Sequence, residues 1–185
     1  VKLDLGCGKS RREGFIGVDV RDFGQEVVCD LRDAWKWEDE SVDEVNCSHF
    51  IEHLTASERI HFVNELWRVL KPGAKATITT PHWASNRAYG DLTHQWPPVS
   101  EMWFYYLSRD WRAANAPHND FYECDFSVTW GYAVNPALTA RNADYQQHAL
   151  AFWKEAAHDM VATLVKPEAA SSAVPNVIAA GQTGG

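Results

Sequence analysis

Gly6 and Gly8 stand at the end of one strand-like run, and Asp19 stands at the end of the next. Glycines at such a place let the backbone turn tightly and approach a ligand closely. A carboxylate at the end of a second strand can accept two hydrogen bonds from a ribose diol. The combination points to a nucleoside-containing ligand, although the glycines alone fit an ordinary tight turn beside a solvated acid. A nicotinamide dinucleotide site requires a third glycine three residues after the second, and position 11 is Arg11. No full helix fits between the two runs to hold a pyrophosphate on its N-terminus. The pattern argues against a dinucleotide and against a nicotinamide oxidoreductase.

A second set of reactive types follows later strand ends. His49, Glu52 and His53 come after a fourth strand-like run, His82 after a fifth, and Asp91 and His94 sit in YGDLTHQW. Imidazole titrates near ~6.5 and can act as a base at neutral pH. A His/Glu set can also bind a divalent metal.

The elements that must position these residues are read from periodicity. Residues 1–5, 15–18, 26–29, 42–47 and 74–80 read as strands. Thr55 and Glu58 form a capping box, and the helix 56–71 behind it carries Ile60, Val63, Leu66, Trp67 and Leu70 on one face. Arg59, Asn64, Glu65 and Arg68 are expected on the other. Trp67 reads as core. Pro72-Gly73 is expected to end the helix. Residues 122–130 read as a strand, 143–158 as a helix and 160–165 as a last strand. Strands alternating with helices imply an α/β sheet with helices on both faces, whose ligands sit beyond the carboxyl ends of the strands. Gly6, Gly8, Asp19, Asp30, Ser48 and His82 all fall at those ends. One domain is expected over 1–166, divided into 1–82, an insertion 83–121 and a C-terminal part 122–166. A flexible tail is expected over 167–185, which is rich in Ala, Ser and Gly.

Bulk properties narrow the class. The 185 residues allow one domain with a full core, and the 45% apolar and 23% charged content is ordinary for a soluble protein. A net charge of −8 disfavours a nonspecific grip on nucleic acid or anionic membrane. The four cysteines include no Cys-x-x-Cys pair, which fits reduced thiols in a cytoplasm. No apolar stretch approaches ~20 residues, so no membrane span is expected. The first residues read as a core strand rather than a signal peptide, and the sequence leaves open whether residues precede them.

LDLGCG, then GVDV, then CDL, then the SHFIEHL loop, then NELWRVLKPGA resemble successive motifs of the class I S-adenosylmethionine-dependent methyltransferases, in order and spacing over residues 1–81. The likeness is to a type 11-like bacterial and phage branch with a shortened first crossover. It implies a Rossmann-like sheet, mostly parallel with an antiparallel last strand, and an aromatic lid insertion. It also implies that Asp4, Gly6, Cys7 and Gly8 line the methionine part of the donor. Asp19, with Val20 beside it, would hold the ribose, Asp30 the adenine amino group, and Leu31 the ring. Ser48 and His49 would close over the donor. Six residues, Lys9 to Gly14, separate Gly8 from Phe15, whereas a parallel crossover takes about a dozen or more. The first helix should therefore be about a turn or absent. That would open the methionine end, where Lys9 or Arg11 can pair with the ligand carboxylate; Arg12 is expected to be solvated.

On the acceptor side the resemblance puts His53, His94 and His82 forward as catalytic, with Glu52, Arg87 and Trp96 facing the substrate. His49-x-x-Glu52-His53 with His94 is similar to the E-x-x-E-H…H metal site of some small-RNA and ubiquinone-pathway O-methyltransferases, with His49 in place of the first Glu. E-H-L is also frequent in this class without metal, and a resident metal is not the favoured reading. Trp83, Tyr89 and Trp96 can form an aromatic wall, while Trp103, Tyr106 and Trp111 read as a hydrophobic cap. The expected activity is methyl transfer from S-adenosylmethionine to a small-molecule or sugar-like acceptor. The alternatives are a nucleic-acid methyltransferase, which the charge disfavours, and a noncatalytic donor-binding scaffold.

Overall fold

The computed structural model describes residues 1–168. Five strands, β1 (Lys2–Leu5), β2 (Ile16–Asp19), β3 (Val27–Val28), β4 (Val42–Ser48) and β5 (Leu70–Pro81), run parallel. Two more, β6 (Ser127–Val134) and β7 (Ala157–Val165), are antiparallel: β7 pairs with β5, and β6 with β7. The sheet order is β3-β2-β1-β4-β5-β7-β6. The inner strands are apolar because both of their faces are covered; Leu3, Leu5, Val18, Cys47 and Ile78 are all fully buried. The order reverses between β1 and β4, and an open sheet of this kind receives its ligand at such a switch.

The crossover from β1 to β2 contains no helix. Turns close it instead, with the Ser10 amide donating to Cys7 O at 3.2 Å and the Phe15 amide to Arg12 O at 3.2 Å. The crossover from β4 to β5 holds the long helix α1 (Ala56–Val69), which opens on the expected capping box. Its buried face is Arg59, Phe62, Val63, Leu66 and Val69. Arg59 is therefore misplaced by the sequence reading. It stands three and four residues before Phe62 and Val63, on the apolar stripe, and is buried with its guanidinium satisfied by backbone carbonyls.

Several element boundaries differ from expectation, among them the start of β7, which is Ala157 and not residue 160. Strand β5 begins at Leu70, before Pro72-Gly73, because Leu70 already pairs with Val42. The register then shifts across Gly73, whose φ is +79°. Strand β6 begins at Ser127, not at 122, because side chains hold the preceding backbone: Arg112 donates to Tyr122 O and Cys124 O, and the Glu123 amide to Asn64. The last helix, α5 (Ala143–Phe152), stops six residues early; Glu155 takes φ +65° and the chain turns into β7. The insertion contributes a single turn α2 (Arg87–Gly90) and two short helices, α3 (Glu101–Tyr105) and α4 (Arg109–Asn115). Phe104 and Leu107 are fully buried, and Trp103 packs against the same core. Most of the expected flexible tail, from residue 169, lies outside the described residues. Among the described residues no helix is long and apolar enough to cross a membrane.

Candidate active site

The turn after β1 has the conformation its glycines allow. Gly6 has φ +66°, and a Cβ there would lie 2.5 Å from the Phe50 ring. Gly8 has φ +54°, and a Cβ there would meet nothing within 4 Å. One glycine is thus required by packing, and the other leaves open space above the turn. The Gly8 amide donates to Asp19 Oδ2 at 2.9 Å and the Arg21 amide to Asp19 Oδ1 at 3.0 Å. An ionised carboxylate has about four acceptor sites, so Asp19 keeps capacity for a ribose diol. The open face at Gly8 and the half-buried Asp19 beside it fit a nucleoside.

The neighbouring residues are arranged less uniformly. Asp4 is buried and accepts from the Arg12 amide at 3.1 Å and from Asn46 Nδ2 at 2.6 Å, fastening the shortened crossover to β1 and β4. The Arg12 guanidinium binds Asn46 Oδ1 at 2.7 Å and lies over the Phe15 ring, so it is more than solvated. Cys7 is buried; burial first, then the charges of Asp19 and Asp4, raise its thiol. Lys9 is exposed and makes no hydrogen bond or ion pair among the described residues, while Arg11 donates to Gly24 O. Asp30 is engaged by Arg32 at 2.6–3.1 Å, which holds its carboxyl below the usual range. Leu31 lies in the core, and Val20 and Ser48 are exposed.

The loop after β4 begins at His49, a non-glycine with φ +52°. Its Nδ1 is 3.2 Å from Glu52 Oε1, and that hydrogen bond raises the imidazole pKa. Glu52 is buried and also accepts from Thr80 Oγ1 at 3.4 Å. The His53 and His94 rings stand 4.8 Å apart, edge to face, although 40 residues separate Thr93 from His53. Arg59 makes this meeting: it donates to Ile51 O and Glu52 O on one side, and to Gln95 O and Pro97 O on the other. The Gln95 amide donates directly to Glu52 O at 2.8 Å. The structure thus brings Glu52, His53 and His94 together.

His82 is placed elsewhere. It is buried, its Nε2 is 2.9 Å from Glu101 Oε1, and its Nδ1 accepts from the Ala84 amide at 3.2 Å. Both nitrogens are engaged, so in this arrangement it positions its neighbours. Glu101 also receives Trp83 Nε1 at 2.9 Å and the Tyr132 hydroxyl at 3.0 Å. Arg87 Nη1 lies 2.8 Å from Asp159 Oδ2. Beyond them Trp83, Tyr89, Phe152, Trp153 and Lys154 line a cleft of about 380 Å³. Trp96 is 77% exposed.

Sequence reasoning missed Glu101, Asp159 and the clamp role of Arg59. Only Arg59 left a signal, since an arginine on an apolar helical stripe must find buried acceptors. Glu101 and Asp159 are ordinary in local context and acquire meaning from strands and helices far away in the chain.

Comparison with known proteins agrees with this fold. Residues 13–78 match the family model described as a methyltransferase domain. No curated protein sequence matches the chain. An S-adenosylmethionine-dependent methyltransferase from Archaeoglobus fulgidus shares the fold, with TM-score 0.64 and 19% identity over 88% of this chain and 84% of that one. The fold also recurs in a Haloferax volcanii complex of the Trm112 methyltransferase activator with a methyltransferase, with TM-score 0.55 and 16% identity over 92% and 83% of the chains. It recurs again in the geranyl diphosphate C-methyltransferase of Streptomyces coelicolor, with TM-score 0.51 and 16% identity over 89% and 73%. The chain thus carries a match to a methyltransferase domain over residues 13–78 and shares its fold with S-adenosylmethionine-dependent methyltransferases.

Proposed function

We propose that the chain transfers the methyl group of S-adenosylmethionine to a small-molecule or sugar-like acceptor. The observation that carries this is the Gly8 turn, open above its backbone and facing an Asp19 carboxylate with acceptor capacity to spare. The Streptomyces coelicolor protein of the same fold was solved with S-adenosyl-L-homocysteine, which supports the donor class. Bound donor would supply a methyl carbon activated by its sulfonium.

The chain's own residues do the rest. Asp19 holds the ribose hydroxyls, Asp30 the adenine amino group and Lys9 the ligand carboxylate, while Ser48 and His49 cover the donor. Orientation can supply much of the rate in an in-line displacement of this kind. The acceptor lies toward the cleft of Trp83, Tyr89 and Trp153, whose volume falls within the ~300–1,000 Å³ range of small-molecule sites. Arg87 meets its polar groups, and Trp96 covers it. His53 and His94 handle the acceptor's proton.

The test is thermal shift and calorimetry with S-adenosylmethionine, its demethylated product and NADH. The first two should stabilise the protein and NADH should not. Asp19→Ala should abolish the shift; an unchanged shift would remove the ribose assignment. Turnover of labelled donor against pooled metabolites, sugars and RNA then identifies the acceptor class, and absence of any product would leave a donor-binding scaffold.

A further inference from the structure

The cleft of Trp83, Tyr89, Phe152 and Trp153 has a lining that discriminates between kinds of acceptor. Its walls come from two stretches, residues 83–89 after β5 and residues 150–154 at the end of α5. Besides the aromatic and aliphatic side chains, Lys154 is the one charged residue in the lining. No Asp, Glu, Asn, Gln, Ser or Thr takes part in it among the described residues. A polyhydroxylated sugar would bury hydroxyls there with few partners, which costs free energy. A flat apolar ring finds stacked and edge-on aromatic contacts instead.

The walls are held in place by the chain itself. Trp83 Nε1 donates to Glu101 Oε2 at 2.9 Å, which fixes that indole. The Trp153 ring meets Tyr145 edge-on at 5.4 Å between centroids and His148 edge-on at 6.0 Å. The two stretches are tied together: the Glu155 amide donates to Ala84 O at 3.0 Å, and the Asn86 amide donates to the Glu155 carboxylate. Yet Trp83, Tyr89, Phe152 and Trp153 all remain exposed. Aromatic walls already ordered have little side-chain freedom left to lose when a ligand arrives.

Electrostatics set the sign of that ligand. Glu101 is engaged by His82, Trp83 and Tyr132, Glu155 by the Asn86 amide, and Arg87 by Asp159. Lys154 makes no hydrogen bond or ion pair among the described residues; its ammonium lies 5.7 Å from the centre of the Tyr89 ring. Such a contact is weak at an exposed site, and the flexible stem can carry the charge to a ligand. In a chain of net charge −8, this cleft therefore presents an unpaired positive charge.

We propose that the cleft takes a flat aromatic acid, its ring among Trp83, Tyr89 and Trp153 and its carboxylate on Lys154. This narrows the acceptor class and rests on the reading of the cleft as the acceptor's place. Lys154 then determines specificity: a neutral ring of the same shape gains the aromatic contacts but not the charge.

The test is calorimetry on the full chain with 2-naphthoate, with its neutral analogue 2-naphthalenemethanol, and with glucose. The naphthoate should bind about fivefold more tightly than the alcohol, and glucose should not bind. Lys154→Met keeps the stem and removes the charge, so it should weaken naphthoate alone and bring the two affinities level. Trp153→Ala should weaken both, with circular dichroism unchanged. Absence of naphthoate binding at millimolar concentration overturns the proposal. So does equal affinity for acid and alcohol in the wild type, undiminished naphthoate binding in Lys154→Met, or a preference for glucose. S-Adenosyl-L-homocysteine is titrated separately. A chain that binds it but not naphthoate loses only the aromatic acid, and a chain that binds naphthoate but not it keeps the cleft and loses the donor reading.

Discussion

Arg87 Nη1 lies 2.8 Å from Asp159 Oδ2, while Asp159 Oδ1 is buried without a hydrogen-bond partner. The pair is lopsided: the Asp159 side chain is 12% exposed and that of Arg87 is 54% exposed. A surface cation from α2 therefore covers an acid buried at the start of β7. Removing it leaves a buried carboxylate with no counter-charge. Arg87→Ala should cost about 1 kcal/mol and lower the melting midpoint by about 2–4 °C. Arg87→Lys should recover part of that. Affinity for S-adenosyl-L-homocysteine should stay at the wild-type value, since Arg87 is assigned to the acceptor. A midpoint unchanged in Arg87→Ala would show that the contact contributes nothing to stability.

Gly6 and Gly8 look alike in sequence and should respond differently to alanine. At Gly6 both the φ of +66° and the Phe50 ring at 2.5 Å oppose a methyl group. Gly6→Ala should destabilise by about 3 kcal/mol. At Gly8 only the φ of +54° opposes it, because the space is open. Gly8→Ala should cost about 1 kcal/mol but put the new methyl where the donor has to lie. Urea unfolding and donor calorimetry on both variants separate the two effects. Equal losses of stability would contradict this division, and full donor affinity in Gly8→Ala would remove the turn from the site.

The parallel half of the fold was legible because its signals are local. The apolar run before Gly6, the Thr55–Glu58 box and the short span from Gly8 to Phe15 each specify their own structure. So did the antiparallel last strand, through the family likeness. The acceptor side was not legible to the same degree. His53 and His94 could be named as reactive types, but their 4.8 Å meeting depends on Arg59, which a solvent-face reading had set aside. Residues 122–126 alternate like a strand yet form none, because Arg112 and Asn64 side chains take the backbone groups that a neighbouring strand would use. Periodicity reports what a segment can do; long-range polar contacts decide what it does.

Glu101 is the centre of a partly buried polar network whose charge should be visible in the pH dependence of stability. Burial pushes its carboxyl up, but the hydrogen bond to His82 and the others around it outweigh this, and its pKa lies below the ordinary 4.5. A carboxyl lowered by folding contributes stability above its unfolded pKa, and that stability is lost as pH falls through the lower folded value. Glu101→Gln should therefore be less stable than the wild type at neutral pH. The two should converge as the pH is taken well below 4.5. Melting midpoints across an acid series check this, and parallel curves with a constant gap would mean that the charge of Glu101 plays no part.

Arg59 joins fold to function most directly. It is 5% exposed, and burial lowers its pKa, yet the group starts so high that it remains a cation. Its donors reach four backbone carbonyls, two on the loop after β4 and two on the insertion. No other side chain donates to both segments among the described residues. Arg59→Met keeps much of the volume and removes every donor, which leaves buried carbonyls unmatched and should cost about 3 kcal/mol. Arg59→Lys, a single point charge in place of a fork, should recover only part of it. The local effect should exceed the global one. Hydrogen exchange should speed up most at the Gln95 amide, which donates to Glu52 O in the wild type, while the amides of β1 and β4 retain their protection relative to global stability. If exchange at Gln95 tracks those strands in Arg59→Met, the insertion is held by its own core contacts and Arg59 is not the clamp.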